Sequence, residues 1–466
     1  MRTLIAMATA LSLLLAAPSF AARFPQAAPA TTNNADSCDL GNFPAATLLL
    51  PYFEIDPAAP DQRTLLVTIT NTSRQPQIAK VVLWTDYGYP VLDFNVFLTG
   101  YDVQALNLAD VLVRGVIASP SGTSIDEPAG TASAANTLNP NFAANVSAAC
   151  AQGLLPGRIP PSLLADVRNA LTKGTATSCG TSRVGGVHPF LTGYATIDVV
   201  ATCSATVPTQ EAYWNELLYD NVLAGDYQQL APTADGAPRG DATGNPLVQI
   251  RAVPAGGAAG AIVATNLPLT FYGRLTPRGG ARTRDRRQPL PSVFAARFVE
   301  TSATPSSESF FTTLKIWREG VDGTGSSCSS YLPNRALLVA EAVRFDEHEN
   351  PSVYAPPVIL DPSFRTTVTL PLTSSTSTSN TAVFPPLAGT GDAGGWLYLD
   401  LDVGSFRVGA PPGPRNQAWV TVSMGAGLLA TEVDATALGN GCSPSPGTPI
   451  ANNGNFPIGP LPDSNP

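Results

Sequence analysis

The sequence predicts a mainly β protein made of two β-sandwich-like units, with a part-helical insertion in the first. Short runs rich in Val, Ile, Leu, Thr, Phe and Tyr recur along the chain and are bounded by Gly, Pro, Asn and Asp, which is typical of strands joined by turns. Several runs alternate with a period of two, as in "VLDFNVFL" at residues 91–98, so one face of each strand is apolar.

A motif that occurs in both halves indicates that the two units are related. Residues 71–76 read Asn-Thr-Ser-Arg-Gln-Pro and precede a strand that ends in Trp84, and residues 300–305 read Glu-Thr-Ser-Ala-Thr-Pro and precede a strand that ends in Trp317. We interpret each stretch as a hairpin. Because large aromatic side chains fill sandwich interiors, we expect each tryptophan to lie between the two sheets of its own unit.

The division of the chain follows from changes in composition. We predict a signal peptide at residues 1–21 and a first sandwich unit at 38–273, with an insertion at about 136–244. An Arg-rich segment at 274–291, a second sandwich unit at 292–442 and a loose tail at 443–466 follow. The Arg-rich segment is expected to be a solvated linker or loop, and a cationic patch for an acidic cell-surface polymer is the alternative.

The first 21 residues have the features of a secretory signal. Arg2 precedes an apolar run over residues 4–17, and Ser19-Phe20-Ala21 matches a small-x-Ala cleavage site. The run is too short to span a bilayer about 30 Å thick as a helix, and no later run is long enough. We therefore expect an exported protein, extracellular, on the cell surface or periplasmic, with no membrane span in the mature chain.

Two helices are expected in the insertion. The stretch "PPSLLADVRNALTKG" places Ser162 as N-cap and Gly174 as the stop of a helix. The stretch "TQEAYWNELLYDNVLAG" at residues 209–225 has similar periodicity.

Six cysteines follow the signal, and an even number in an exported chain predicts three disulfides. They are Cys38, Cys150, Cys179, Cys203, Cys328 and Cys442. Six cysteines can form three disulfides in about fifteen ways, and the sequence alone leaves all of them open. We favour one bridge within the group Cys150, Cys179 and Cys203, and one between Cys328 and Cys442, because the loop-rich middle and the C-terminal half would each gain a crosslink.

Composition and motifs exclude several function classes. The net charge of −9 argues against nucleic acid, whose phosphates require a basic face, and against anionic membranes. There are two histidines, and the sequence has no H-E-x-x-H, G-x-S-x-G or P-loop motif, which disfavours most hydrolase and metalloenzyme mechanisms. We expect no cofactor.

Two acidic groups are candidate sites. Asp400 and Asp402 alternate along one strand beside Trp396, so their carboxylates would share a face and could form a glycosidase pair. Acids at a solvated strand end are the ordinary alternative.

The second group is a candidate metal site in "FDEHENP", where Glu347, His348 and Glu349 could supply ligands. A solvated turn before a proline is the alternative interpretation. The other histidine, His188, lies in "GGVHPF", and we expect it to be a surface or capping residue.

The segments "ATLLLPYFEID", "VTITNTS" and "VVLWTDYGYPVLDFNVFLTGYDVQALNL" resemble exported bacterial proteins of unassigned activity. The resemblance covers about the first hundred residues after the signal. It implies a bacterial envelope or extracellular setting and supplies no activity, substrate or site residue.

These observations favour a non-enzymatic exported module with a binding or structural role at a surface, in a matrix or in the periplasm. Its partner would be a cell-surface polymer or a protein. The alternative is an extracellular carbohydrate-active enzyme that uses paired carboxylates. In the favoured interpretation, the few titratable groups lie outside the sheets and are unpartnered.

Overall fold

The computed structural model describes most of the first half of the chain and a set of strands in the second. The described residues are 43–117, 158–230, 243–252, 287, 290–291, 293–299, 310–318, 328, 341–349, 351–354, 375–379, 394–401, 417–426 and 429–438. The signal peptide predicted at residues 1–21 and the tail predicted at 443–466 lie outside these residues.

The first nine described strands form two antiparallel sheets. Sheet I has the order β5 (Val103–Asn107), β2 (Thr64–Asn71), β7 (Leu223–Leu230), β8 (Thr243–Pro246). Sheet II has the order β4 (Pro90–Leu98), β3 (Gln77–Thr85), β6 (Leu191–Val200), β1 (Thr47–Ile55), β9 (Val248–Ile250). Apolar side chains from both sheets, among them Leu65, Ile69, Leu50 and Val81, form one buried core.

The next nine described strands form two further antiparallel sheets. Sheet III has the order β14 (Ser375–Ser379), β11 (Phe310–Arg318), β16 (Ala418–Ala426), β17 (Leu429–Asp434). Sheet IV has the order β13 (Pro351–Tyr354), β12 (Glu341–Asp346), β15 (Gly394–Asp400), β10 (Val293–Val299), β18 (Thr436–Ala437). The mainly β, sandwich-like fold class is confirmed.

The two sets of sheets share one topology. If each strand of the first set is numbered nine positions on, sheet II becomes sheet IV and sheet I becomes sheet III, with every neighbour preserved. Hydrogen bonds outside the ladders repeat as well. Leu223 N donates to Ala45 O at 2.9 Å, and Ala418 N donates to Pro291 O at 2.8 Å in the equivalent place. The chain is therefore a tandem structural duplication.

Two glycines mark equivalent positions of the duplication. Gly193 pairs with Phe53, and Gly395 pairs with Phe298. A Cβ at Gly193 would lie 2.1 Å from the carbonyl oxygen of Trp84, and a Cβ at Gly395 would lie 1.9 Å from that of Phe345. Each glycine thus allows the same close approach of neighbouring strands.

The motif that suggested the duplication does not align its two halves. Residues 72–76 connect β2 in sheet I to β3 in sheet II, and residues 300–309 connect β10 in sheet IV to β11 in sheet III. Both are therefore connections between sheets, and the interpretation as hairpins is wrong. The strands that correspond to β2 and β3 are β11 and β12. The second copy of the motif lies between β10 and β11, which is one strand earlier than the duplication requires.

Sheets II and III pack against each other through aromatic side chains. Trp84 stacks on Tyr194 with ring centroids 5.8 Å apart, and Tyr194 meets Trp317 edge-on at 6.0 Å. Both tryptophans are buried as expected. The expectation that each fills its own sandwich is wrong, because the two share the boundary between sandwiches. The outer faces of sheets II and III therefore meet at the boundary between the two sandwiches.

One of the two expected helices forms. Helix α1 (Pro161–Lys173) ends at Gly174, which adopts a left-handed conformation with φ of 65°, but its N-cap is Pro160 and not Ser162. The prediction of a helix at residues 209–225 is wrong. Only a 3₁₀ turn forms at Glu211–Asn215, because Leu217 bridges to Val200 at the end of β6 and tertiary pairing overrides the helical pattern.

The additional residues of the first sandwich lie between β5 and β6, where α1 is found. The range 136–244 that we predicted as an insertion also contains β6 and β7, which are central strands of sheets II and I. The added part is therefore shorter than that range.

A disulfide joins this added part to the second set of strands. Cys179 is bonded to Cys328, which is 149 residues further along the chain. The predicted Cys328–Cys442 bridge is therefore wrong. Cys203 is disulfide-bonded as well. A bridge within the predicted group could now only join Cys150 to Cys203, and Cys150, Cys38 and Cys442 lie outside the described residues.

Candidate functional site

The outer face of sheet II, which is the face turned away from sheet I, carries buried charges. Asp198 lies near the C-terminal end of β6, the central strand of sheet II, and is fully buried. It accepts hydrogen bonds from Thr47 Oγ1 at 2.5 Å and from Tyr213, and it pairs with Arg287 at 3.0 Å. The guanidinium of Arg287 also lies 5.5 Å from the ring centre of Trp214, which adds a cation–π contact.

Arg287 corrects the prediction for the Arg-rich segment. We expected residues 274–291 to be solvated, but Arg287 is fully buried and Leu290 beside it is buried too. The charge of Arg287 is compensated by Asp198 and is not available to an acidic polymer. The rest of this segment, apart from Pro291, lies outside the described residues.

A second ion pair lies on the same face. Lys80 Nζ is buried, and it donates to Asp93 Oδ2 and to the carbonyl oxygen of Ser204. Burial raises the pKa of Asp93, and the ammonium of Lys80 opposes that shift. The expectation that titratable groups lie outside and unpartnered is wrong for this face.

Charged residues also join the two sandwiches. Glu432 on β17 accepts hydrogen bonds from Lys315 of β11, from Ser423 of β16 at 2.8 Å, and from the phenol of Tyr227, which belongs to sheet I. Burial alone would raise the pKa of Glu432, but Lys315 and the hydrogen bonds lower it overall. Burial and the adjacent Glu432 raise the pKa of Tyr227 well above its usual value.

Asp434 is the second acid at this boundary. Its Oδ1 accepts hydrogen bonds from Asn245 of sheet I at 2.7 Å, from Trp419 at 2.8 Å and from Thr421 at 3.1 Å. Burial raises the pKa of Asp434 to about 6, although the hydrogen bonds from Trp419 and Thr421 oppose this shift. The polar contacts of β17 therefore bind the second sandwich to the first.

His188 forms a dyad with an acid that the sequence did not distinguish. His188 Nε2 lies 2.6 Å from Oδ2 of Asp86, whose side chain is 1% exposed. Gly186 N donates to Oδ1 of the same carboxylate at 2.9 Å, and a Cβ on Gly186 would lie 2.7 Å from His188 Nε2. Among the described residues, Asp86 is the hydrogen-bond partner of the His188 ring, and no hydroxyl joins the pair to form a triad.

This dyad has a structural role in holding the added part of the first sandwich. His188 N donates to Thr172 O of α1 at 2.8 Å, and Thr85 Oγ1 donates to Val184 O at 2.5 Å. Cys179 lies within the same loop. The end of β3 is thereby tied to the segment that carries the disulfide.

The outer face of sheet IV, which is turned away from sheet III, is more exposed than the outer face of sheet II. Trp396 on β15 is 43% exposed. The guanidinium of Arg297, its cross-strand partner on β10, lies 4.7 Å from the ring centre. Arg297 also pairs with Glu347 at 3.4 Å. This face presents an aromatic surface with a cation stacked on it.

The candidate metal ligands belong to the turn after β12. Glu347, His348 and Glu349 are exposed, and His348 N donates to Asp346 Oδ1 at 2.8 Å. Within the described residues, no group of three or more His, Cys, Asp or Glu side chains could hold a metal ion. Glu347 is instead engaged with Arg297.

The candidate carboxylate pair can be placed only by its backbone. Asp400 is the last residue of β15 and pairs with Val293, as Asp198 pairs with Thr47 in the first sandwich. Asp400 therefore occupies the position that corresponds to Asp198. The side chain of Asp400 and the whole of Asp402 lie outside the described residues.

Comparison with known proteins finds no family model, no curated protein and no solved structure that matches this chain. Within the described part of the chain, no helix has the length and apolar character needed to cross a membrane. The chemistry of the site therefore rests on the contacts described above. They are ion pairs and hydrogen bonds that join sheets, loops and sandwiches.

Proposed function

We propose that this protein is an exported, non-enzymatic module with a structural or binding role in the bacterial envelope or outside the cell. One observation carries the proposal. At the boundary between the sandwiches, Glu432 pairs with Lys315 of its own sheet and accepts a hydrogen bond from Tyr227 of sheet I, so its carboxylate is engaged in structural contacts. Such an arrangement uses polar groups to fix a rigid stack of sheets, which is what a structural module requires.

Three further features support the proposal. The Cys179–Cys328 disulfide fits an oxidising compartment outside the cytoplasm. The signal-like residues 1–21 supply a route of export. In the pair formed by Asp86 and His188, the carboxylate is buried and also accepts a hydrogen bond from Gly186 N. This arrangement is suited to holding the loop that contains Gly186 and His188.

The proposal is tested by export and by turnover. The full chain is expressed in a Gram-negative host, the cell fractions are separated, and the intact mass of the exported species is measured. We expect cleavage after Ala21 and oxidised cysteines. The exported protein is then incubated with a panel of plant, bacterial and algal polysaccharides, and we expect no release of reducing ends.

The alternative enzyme has a clear signature. Turnover of any polysaccharide in that panel that is lost in both Asp400→Asn and Asp402→Asn would overturn the proposal and assign a glycosidase activity. Asp61→Asn serves as the matched control, because it removes an exposed carboxylate of the first sandwich, away from β15. Unprocessed chain retained in the cytoplasm would overturn the exported setting.

A further inference from the structure

The boundary between the sandwiches contains a lysine and a glutamate that have both lost their water. Lys315 of β11 is 7% exposed, and its amine contacts Oε2 of Glu432, whose side chain is fully buried. The two residues are 117 positions apart in the chain, and β16 lies between their strands in sheet III. Because burial disfavours the charged forms of both groups, a reaction that removes the two charges together would be favoured here.

The presence of a lysine at this position is informative. Three of the 26 basic residues of the chain are lysines, and the others are arginines. Where the buried Asp198 requires a counter-ion, the chain uses Arg287. A guanidinium cannot lose its proton in a protein, whereas a buried ammonium can do so and then becomes a nucleophile. Lys315 therefore offers a chemistry that an arginine at the same position could not.

The carboxyl group of Glu432 is arranged for attack by this amine. Its Oε1 accepts a hydrogen bond from the phenol of Tyr227, and its Oε2 accepts one from Ser423 Oγ at 2.8 Å. A donor on Oε1 stabilises the negative charge that develops when a nucleophile adds to the carbonyl carbon. Burial raises the pKa of Tyr227 well above its usual value, so the phenol keeps its proton. The nucleophile and a donor for each carboxyl oxygen are thus in one place.

We propose that Lys315 and Glu432 condense to an intramolecular amide, which is a covalent crosslink between β11 and β17. One proton moves from Nζ to Oε2, which leaves a neutral amine beside a neutral carboxylic acid. The Nζ–Cδ bond then forms, a second proton passes from Nζ to Oε2, and the Cδ–Oε2 bond breaks to release one water. An ion pair becomes a neutral amide and water, so charge balances and no oxidant or further reactant is needed.

The contacts around the pair suit both the starting state and the product. Burial alone would raise the pKa of Glu432, but Lys315 and the hydrogen bonds lower it overall, so the reaction starts from the ion pair. In the product, Oε1 becomes the amide oxygen and can keep the hydrogen bond from Tyr227. The buried charges are gone, and a satisfied neutral amide costs less to bury than two ions. The inference goes beyond the proposed function, because the bond would form whatever the chain supports or binds.

The other buried lysine provides an internal comparison. Lys80 contacts Asp93, whose side chain is 28% exposed. Among the described residues, no hydroxyl group donates to the carboxylate of Asp93. Nothing described there would stabilise charge on a carboxyl oxygen during attack. Lys80 and Asp93 should therefore remain an ion pair.

The experiment is an intact-mass measurement on the mature full chain after reduction, alkylation and denaturation. We expect a mass lower than the sequence requires by one water molecule. Trypsin does not cleave after a lysine whose amine is acylated, so Lys315 should stay uncut. The digest should then contain one linked species that joins residues 298–318 to residues 416–466, and its fragmentation should place the bond between Lys315 and Glu432.

Three variants separate the amide from an ion pair. Lys315→Arg keeps the positive charge but removes the reactive amine, so this variant should have the full mass. Lys80→Arg is the matched control and should still lose one water. Tyr227→Phe removes the donor on Oε1 and should slow amide formation by about a hundredfold, which samples taken at intervals after synthesis would show as unlinked chain.

Several results would overturn the inference. Wild-type chain of full mass would show that Lys315 and Glu432 remain an ion pair, and this result does not depend on how any variant folds. A water loss that persists in Lys315→Arg, or that maps to Lys80 or any other site, would overturn it equally. None of these results bears on export or polysaccharide turnover, so the proposed function would fail or stand separately.

Discussion

Sheets II and IV have the same strand order and a glycine at the equivalent position, yet their outer faces differ in what covers them. On sheet II, the face is buried, and it carries Lys80 and Asp198 with Arg287 between strands and loops. On sheet IV, the arginine is half-exposed and stacks on an exposed tryptophan. One backbone plan therefore supports a buried polar interior and a solvent-facing aromatic surface, depending on what packs above it.

The difference shows where charged residues are costly. A buried ion is stable only with a counter-ion and hydrogen bonds, because its solvation is lost. Asp198 accordingly has Thr47, Tyr213 and Arg287 around it. An exposed pair such as Arg297 and Glu347 contributes little, since water screens it. The two arginines offer a direct way to measure this difference.

Arg287→Met should have the largest effect. It removes the cation that pairs with the fully buried Asp198, and losing one member of a buried pair costs about 3–5 kcal/mol. Arg297→Met is the matched variant on sheet IV and should cost less than about 1 kcal/mol. Urea unfolding of the oxidised protein measures both values. Equal losses for the two variants would contradict the assigned burial of Arg287.

Gly193→Ala and Gly395→Ala should come next, and they test the equivalence of the sandwiches. Each new methyl would lie about 2 Å from a carbonyl oxygen, that of Trp84 or that of Phe345, and overpacking of this kind costs about 1–3 kcal/mol. Circular dichroism melting measures both. A large loss of stability for one variant and none for the other would contradict the equivalence of Gly193 in β6 and Gly395 in β15.

Ser162→Ala provides a control for these two variants. Ser162 is exposed in the first turn of α1, away from the strands. Surface substitutions of this kind usually change stability by less than about 0.5 kcal/mol. The control should therefore change the melting temperature less than either strand variant.

Asp434→Asn should have the smallest effect at pH 4, where Asp434 is protonated, and its effect appears as a change in pH dependence. The folded pKa of Asp434 is about 6, above the usual value of about 3.9 for an unfolded chain. The stabilisation linked to its protonated form is therefore complete below pH 4 and is lost as the pH rises through 6. Relative to the variant, the wild-type free energy of unfolding should fall by about 2–3 kcal/mol over that range.

The comparison with Asn isolates this residue. Asn keeps the Oδ1 acceptor that bonds Asn245, Trp419 and Thr421, and it cannot ionise. Asp220, whose pKa is also raised to about 6 by burial, is present in both proteins and cancels in the difference. Parallel stability curves for wild type and variant from pH 4 to 7 would show that Asp434 does not titrate in this window.

The sequence predicted the features that depend on local pattern. Period-two alternation indicated the strands, and the spacing of apolar residues before Gly174 predicted α1. The helix at 209–225 failed because Leu217 pairs with β6, and such long-range contacts leave no mark on local periodicity. The Cys179–Cys328 bridge was missed for the same reason, since pairing depends on how distant segments meet.

The duplication was inferred from the wrong residues, although a better signal exists. "GYATID" at residues 193–198 and "GWLYLD" at residues 395–400 occupy equivalent stretches of β6 and β15. The glycine is required by the close approach of strands, so it persists where the other side chains change. The dyad of Asp86 and His188 had no sequence signal, because its partners are 102 residues apart.

The Cys179–Cys328 bond also determines how the molecule would bear load. When the chain is pulled at its two ends, the sulfur atoms provide a direct path for tension between Cys179 and Cys328, which are 149 residues apart. That stretch includes β6 to β11, and it represents about 500 Å of slack at the extension of a fully stretched backbone. Reduction of the bond would release this length, so the oxidised chain should extend less under force than the reduced one.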